Sequence, residues 1–592
     1  MAKMTVHPAA NELSLVHGNT DVPLWEKTLA DLVNEQAETF GGKTAVRVPW
    51  QNVELTYSDL AKRSLAVARG LLAHGLMSGD YVGIFAGNRY EYIEAFLGAT
   101  SIGCPVVVLN NTYTPQELAR SLMQTSCKLL FIANHIKGRS LLEHMRSVTQ
   151  NASHVKMVTF GPTPPDIRNP QTQSYDVFAS ANPSLLDLEN IHKASTQIKP
   201  TDVLNLQFTS GTTGTPKAAM LTHRNILNNA HLVGARMGLT PSSTICCPPP
   251  LFHCFGLVMG FLAALAHGAA IVFPADAFDA GATVAAVARE RCDVLLGVPT
   301  MLLAVLEETA LRRAKEGVGK EDAATTTVRT VLAAGSLVAA PLMERLRREM
   351  GVSDVLVAYG MTETSPVSFM TARRGDRGSV EAEEEGKRGG GGLGMVMPHT
   401  LAKVVDGKGR VVLRGVRGEL CTSGYLLMKG YLGNEKATRE VMERDESGRV
   451  WMRTGDECVI DESGACSITG RIKDIIIRGG ENIFPAEIEE RLAAHPLVAE
   501  ACVVGVKDEK YGEVVGCFLR AVGGGKRPDD ANLQSWVKEA LGRHKSPQWV
   551  FWIGDSGVGP DYPKTGSGKH QKHILRALAN KLVGANSFKA RL

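Results

Sequence analysis

The sequence contains no CxxC pair and no grouping of cysteine and histidine at zinc-ligand spacing, so its eleven cysteines do not describe a structural zinc site. They are scattered from Cys104 to Cys517, odd in number and without a disulfide framework, which points to reduced thiols and an intracellular compartment. Charge of one sign is also missing: 65 Lys plus Arg stand against 61 Asp plus Glu, a net +4 over 592 residues. No segment gathers basic residues with interleaved aromatics, so nucleic acid is not an expected partner. The first residues lack a basic region followed by an apolar one, so no secretory signal is expected. No internal repeat is apparent. Long apolar runs are scarce. The one that invites comparison with a membrane span, FGLVMGFLAALAHGAAIVF (255–273), is interrupted by His267 and reads as a buried helix followed by the strand AAIVFPA.

What is present is an ordinary globular composition, 44% hydrophobic and 21% charged. The length exceeds what one hydrophobic core supports, so at least two domains are expected. Short apolar runs such as YVGIFAGN, PVVVLNN, LLFIANH, VLNLQFTS, DVLLGVP, VRTVLAAG and DVLVAYG end in small or turn-forming residues and alternate with helical patterns such as YSDLAKRSLAVARGLLAHGL. That alternation predicts parallel βαβ units with ligand-binding loops at the carboxyl ends of the strands. Residues 373–394, charged and glycine-rich, read as a solvated loop. After it AKVVD, GRVVLR and GELCTSG are β-rich, and from about residue 474 helix and strand mix as in a small α+β domain.

The stretch TSGTTGTPKAAMLTHRN (209–225) has almost nothing to bury. A strand-like run precedes its Gly/Ser/Thr loop and an amphipathic helix, RNILNNAHLVGAR, is expected to follow directly. Glycines allow backbone amides close to an anion, hydroxyls donate to its oxygens, and Lys217 adds a positive charge, so the stretch reads as a phosphate cradle. It is not a Walker A loop, because Pro216 precedes Lys217 and Ala218 follows it.

This stretch resembles the phosphate-binding signature of the adenylate-forming superfamily, which includes acyl-CoA synthetases, luciferases and peptide adenylation domains. PLFHCFG (250–256), AAGSLVAAPL (333–342), YGMTETSP (359–366), GELCTSGYLLMKGY (418–431), WMRTGDE (451–457), GRIKDIIIRGGENIFPAEIEE (470–490) and PKTGSGKHQK (563–572) agree with it in the family's order. The resemblance implies an α/β N-terminal domain, residues 1–472, with βαβ-type sheets and a β-rich subdomain, and a smaller mobile α+β domain, residues 473–592. It implies ATP, Mg²⁺ and CoA as reaction partners. Thr209, Ser210, Gly211, Thr212, Thr213, Gly214 and Lys217 would hold the terminal phosphates. Thr362 and Glu363 would lie at the α-phosphate, with Glu363 binding the metal, a hard cation suited to one carboxylate and phosphate oxygens. Tyr359, beside Gly360, would lie against adenine, and Gly335 and Ser336 would line the adenine and acyl pocket. Asp456 and Arg471 would take the ribose. Lys569, rather than Lys564, would reach the carboxylate and α-phosphate during adenylation. Rotation at Lys473 would then bring RGGENI, with Gly479 and Gly480, to the pantetheine tunnel, which His253 would gate.

The inertness of a carboxylate explains such a set, since its charge repels nucleophiles and its oxygen leaves poorly. Joining it to AMP makes the acyl carbon electrophilic, and a thiol can then displace AMP. The expected activity is an ATP-dependent acid–CoA ligase similar to the medium-chain fatty acyl-CoA synthetase branch, with GLVMGFLAALAHG and VPTMLLAVL as candidate walls of an acyl pocket. A hydroxy-acid or aryl-acid ligase of a secondary pathway, or an enzyme loading a carrier protein, remains open. The chain departs from the family pattern in its longer loop near 380 and in extra residues at GDSGVGPDYPKT (554–565), which bear on the reach of Lys569. The ending Ala590-Arg591-Leu592 resembles a receptor-read peroxisomal address, so a peroxisomal location and import receptor are expected, with the cytoplasm as the alternative. Chain length of the acid and oligomeric state are not fixed by the sequence.

Overall fold

A computed structural model describes residues 12–167, 169, 171–180, 183–209, 216–316, 327–335, 338, 340–374, 392–524, 526–566 and 569–589. Among the described residues two large sheets dominate the first part of the chain. In one, the strands Lys156–Phe160, Leu129–Ala133, Val82–Phe85, Val106–Val108 and Val203–Thr209 run parallel. In the other, Asp354–Gly360, Thr330–Ala334, Val294–Gly297, Thr244–Cys246, Ala270–Val272 and Thr44–Val48 do the same. The apolar runs picked out above are these strands. Their continuous rather than alternating hydrophobicity reflects burial on both faces.

Helices Tyr90–Ser101 and His223–Met237 each touch strands of both sheets and fill the space between them. Tyr92, Phe96 and Ala99 of the first helix are fully buried, each large apolar side chain contributing about 1.5–3 kcal/mol. Helix boundaries follow capping chemistry. Tyr57–Ala73 starts at a reciprocal Thr56–Asp59 box and Pro115–Gln124 at Thr114–Glu117, with proline in the first turn.

The apolar run 255–273 is a π-helix, Phe255–Leu262, continued by Ala263–Ala266 and the strand Ala270–Val272. It packs on helix His223–Met237 in the core. No helix among the described residues is long and apolar enough to cross a membrane. All eleven cysteines are free and buried.

An antiparallel sheet built from Leu15–His17, Thr400–Val405, Gly418–Gly424, Met442–Arg444, Val450–Ile460 and Cys466–Arg471 packs Ala402, Val404, Leu420 and Ile460 into a common core with Val331, Val355 and Phe369 of the second parallel sheet. GRVVLR, expected as a strand, contributes only the single bridges Val405 to Val411 and Leu13 to Leu413, because turns occupy both its ends.

At Ile472–Asp474 a short 3-10 turn separates this sheet from the last one. There Val498–Asp508 and Gly512–Ala521 form a long hairpin flanked by Ile476–Arg478, Glu481–Ile483 and Trp549–Trp552. Period-two alternation sorts its side chains. Val503, Val515, Cys517 and Leu519 meet helices Pro485–Ala493 and Asp530–Ala540, while Cys502, Val504, Val514 and Phe518 meet Leu575 and Ala579 of helix Lys572–Lys589.

Candidate active site

The phosphate-cradle stretch departs from expectation in one respect. No helix follows the loop directly. Lys217–Thr222 is a strand that pairs antiparallel with Val203–Thr209, Thr209 facing Lys217, and the helix begins at His223 with Thr222 as its cap. Ala218, Ala219 and Leu221 bury in the sheet, and that burial outweighs helical propensity. The stretch therefore joins the carboxyl end of a parallel strand to that strand's antiparallel neighbour. Ser210, Gly211, Thr212, Thr213 and Gly214 lie outside the described residues, as does Ser336.

At the ends of these two strands the carboxyl ends of both parallel sheets come together, Lys217 and Glu363 both lying against Tyr431. Tyr359 and Gly360 end the strand Asp354–Gly360, and the turn Thr362–Thr364 follows. Glu363 is 6% exposed. Its backbone carbonyl accepts from Met428 N at 2.9 Å, and Ser365 Oγ donates to Leu426 O at 2.7 Å, so the turn is tied to segment 426–428. One carboxylate oxygen of Glu363 accepts from the Tyr431 hydroxyl at 2.8 Å, while Lys217 Nζ stands 5.1 Å from the centre of the Tyr431 ring. Burial, then the adjacent Glu363, pushes the Tyr431 hydroxyl pKa far up, so it stays a donor. Tyr431 thus joins the cradle lysine to the acidic residue, a link the sequence does not reveal because 68 positions separate it from Glu363.

The ribose candidates are also together. Asp456 and Arg471, expected to bracket a segment, are direct partners across two antiparallel strands. Asp456, 6% exposed, accepts from the Tyr359 hydroxyl at 2.7 Å and faces Arg471 Nε at 3.2 Å. Burial and Asp456 together raise the Tyr359 pKa well above the ordinary range.

On the adjoining wall, Asn88 pins the PLFHC segment by donating to Pro249 O at 2.9 Å and accepting from Leu251 N at 2.8 Å. His253 Nδ1 accepts from Phe255 N at 3.1 Å. Burial, reinforced by Lys569, lowers the His253 pKa to about 3, so its ring is neutral at physiological pH. The neighbouring Cys254 is held as a thiol, its pKa raised to about 11 by burial despite Lys569 and a hydrogen bond from Thr362. Sequence reasoning did not single out this cysteine, although it sat inside the quoted motif.

Lys569 enters the same cleft from the last domain. A Cβ built on Gly335, whose φ is +92°, would stand 3.7 Å from Lys569 Cε and 3.1 Å from Val298 Cγ1, so the lysine stem runs over a position that requires glycine. Burial first, then Arg471, lowers the Lys569 pKa, against the opposing pull of Cys254, Asp456 and Glu363. Lys564, the alternative lysine, points away and pairs with Glu500 at 2.9 Å. Gly479 and Gly480 are not brought to this cleft. They form the exposed turn of the hairpin Ile476–Arg478/Glu481–Ile483, both at positive φ, with Arg478 over the Tyr511 ring at 3.9 Å.

Among the described residues no group of three or more His, Cys, Asp or Glu could hold a metal by itself. Glu363 offers one carboxylate, and among the described residues its second oxygen has no hydrogen-bond partner. This donor set fits a hard cation that takes its remaining ligands from phosphate oxygens and water.

Residues 33–432 match the AMP-binding enzyme family, and residues 487–569 match the AMP-binding enzyme C-terminal domain. The chain is 43% identical over 586 residues to acyl-CoA ligase SID4 of Ajellomyces capsulatus, covering 98% of this chain and 96% of that one. It is 33% identical over 589 residues to the mitochondrial medium-chain acyl-CoA ligase ACSF2 of Danio rerio, covering 96% and 91%. Among solved structures, ATP-bound MatB from Rhodopseudomonas palustris superposes with a TM-score of 0.77 at 26% identity, covering 93% of this chain and 99% of that one. With both family domains in sequence, relatives matched end to end and the fold shared, the chain belongs to the AMP-binding enzyme family as an acyl-CoA ligase acting through an adenylate.

Proposed function

We infer that the protein couples an aliphatic carboxylic acid to CoA in two steps within this one cleft, using ATP and magnesium. The observation that carries this reading is the placement of Lys569, from beyond the 472–474 turn, against Gly335, where the charges of Arg471, Asp456 and Glu363 act on it. In the first step the acid's carboxylate oxygen attacks the α-phosphorus and pyrophosphate leaves. Two anions must approach each other, and the ammonium of Lys569 bridges them while Lys217 and the 209–214 loop hold the departing phosphates. Asp456 and Arg471 fix the ribose, and Tyr359 packs on adenine. Glu363, oriented by Tyr431, and Thr362 flank the α-phosphate. A magnesium ion at Glu363 would neutralise phosphate charge. Neutral His253 and thiol Cys254 contribute no charge to the wall through which the CoA sulfur arrives. In the second step that sulfur attacks the acyl carbonyl and AMP leaves. Domain 473–592 turns about Lys473 between steps, withdrawing Lys569 and bringing Gly479 and Gly480 to the tunnel.

The apolar π-helix Phe255–Leu262 and helix Pro299–Glu316 support an aliphatic acid. A hydroxy or aryl acid from a secondary pathway is the second reading, supported on the aryl side by the o-succinylbenzoate CoA synthetase of Bacillus subtilis, which shares the fold with a TM-score of 0.73 at 25% identity. The ending Ala590-Arg591-Leu592, outside the described residues, supports import into peroxisomes by a receptor that reads it. A panel of acids assayed for AMP release with CoA decides the substrate. Absence of acid-dependent exchange of labelled pyrophosphate into ATP, across aliphatic, hydroxy and aryl acids, would overturn the adenylating role.

A further inference from the structure

The loop that carries Lys569 is anchored by a cluster lying on the far side of the lysine from the cleft. Residues 563–565 and 569–571 pair as two antiparallel legs. Gln571 N donates to Pro563 O at 2.8 Å, Thr565 N to Lys569 O at 2.7 Å and Lys569 N to Thr565 Oγ1 at 3.1 Å. Lys564 and His570 are paired across these legs. In such a ladder successive side chains point to opposite faces. Lys569 faces the cleft, so His570 faces back into its own domain. There its Nε2 lies 2.9 Å from Oε1 of Glu500, and Lys564 Nζ lies 2.9 Å from the same oxygen. The other Glu500 oxygen is met by Arg520 Nε at 3.4 Å. Tyr562 completes the anchor. Its hydroxyl donates to the backbone carbonyls of Glu500 and Phe518, each at 3.0 Å, and its ring lies 4.5 Å from that of His570.

Both legs therefore end on one carboxylate oxygen. Glu500 sits at a register shift on the strand Val498–Asp508, opposite Arg520, in the sheet of the small domain. Its side chain is 14% exposed. Desolvation alone would raise its pKa, but the hydrogen bond from His570 and the charge of Lys564 hold it down at about 2, so the anion persists across the working pH range. The extra residues of 554–565 lead directly into the first leg, with Arg520 paired to Asp561 at its base. An anchor on the sheet makes the aim of Lys569 independent of how that longer connection is arranged.

We propose that Glu500, acting through His570 and Lys564, is a positioning residue for Lys569 in the adenylation step. This rests on the role given to Lys569 above. Because Lys569 serves only the first step, the proposal makes a demand that a merely structural contact would not meet: the two half-reactions must separate. Acid-dependent pyrophosphate exchange and thioester formation from supplied acyl-adenylate plus CoA are measured on the full-length chain for Lys569→Ala, Glu500→Gln, His570→Ala and His570→Gln. Displacing a reacting group by about 1 Å costs roughly hundredfold, so Glu500→Gln and His570→Ala should each lower exchange by roughly ten- to hundredfold while thioester formation stays within about twofold. His570→Gln, which retains a donor toward Glu500, should recover much of the exchange lost in His570→Ala. Equal loss of both steps in Glu500→Gln and His570→Ala, or no loss in either, alongside a selective loss in Lys569→Ala, would overturn the positioning role and leave the lysine assignment standing. A Lys569→Ala variant without selective loss would instead remove the reading beneath it and the proposal with it.

Discussion

Replacing Asp456 by Asn, set against Tyr359→Phe, separates holding the cleft together from binding the nucleotide. Asp456 has one oxygen on the Tyr359 hydroxyl at 2.7 Å and the other toward Arg471 at 3.2 Å. The Arg471 side chain is 50% exposed, so solvent screens that pair and it contributes no more than about 1 kcal/mol. The hydroxyl-to-carboxylate hydrogen bond is shielded and contributes about 1.5–3 kcal/mol. Tyr359→Phe removes it, keeps the ring and keeps the carboxylate, so it should cost about 2 kcal/mol of stability and change ATP affinity by no more than about threefold. Asp456→Asn keeps an acceptor for Tyr359 and should cost only about 1 kcal/mol of stability. In the proposed ribose-binding role it would convert two charge-assisted hydrogen bonds to ribose hydroxyls into neutral ones, a loss of about 2–3 kcal/mol or roughly thirty- to 150-fold in ATP Kd. Calorimetric titration with a non-hydrolysable ATP analogue and denaturant unfolding of both variants give the two numbers for each. The opposite pattern, with Asp456→Asn binding the analogue as tightly as the parent and Tyr359→Phe losing most of the affinity, would show that the carboxylate is a structural clamp and that the ribose lies elsewhere.

Lys569 must be charged to bridge two anions, yet burial and Arg471 lower its pKa from the ordinary 10.5; kcat/KM for ATP in pyrophosphate exchange should therefore fall as pH rises through a value below 10.5, and Lys569→Arg should shift that fall upward if it retains activity, as pH–rate profiles will show. Tyr431→Phe leaves one Glu363 oxygen without its donor and the carboxylate less well aimed, so magnesium-dependent tightening of ATP-analogue binding should weaken by roughly tenfold, the equivalent of about 1.4 kcal/mol, when measured by titration with and without the metal. Shortening Leu575 to Ala in the fully buried face shared with Phe518 and Val504 should cost about 2–5 kcal/mol in the last domain, seen by denaturant unfolding, with ATP-analogue affinity less affected than by Asp456→Asn. Deleting residues 590–592 should abolish peroxisomal import in cells and leave activity of the purified protein unchanged.

The parallel strands were legible because burial on both faces forces continuous apolar runs, and helix starts were legible because Thr56 and Thr114 carry their capping partners three residues on. The chemistry-bearing segments were legible because phosphate and carboxylate chemistry needs particular residue types in fixed short order, as in 209–217, 359–366 and 563–572. Choosing Lys569 over Lys564 also came from that order. The structure supplies a physical counterpart, since strand alternation turns one lysine into the cleft and the other onto Glu500. What sequence order could not decide was anything set by encounters between distant segments. The strand Lys217–Thr222 intervenes between the loop and the expected helix, which forms at His223–Met237, because its small apolar side chains find a neighbouring strand, and pairing depends on that neighbour. Tyr431 meeting Glu363, Asp456 meeting Arg471 and Glu500 gripping both legs beside Lys569 are products of sheet register and domain docking. Local spacing encodes which groups are available. Only the packed sheets determine which of them come within hydrogen-bonding distance, because that distance is set by the whole fold and not by any one segment.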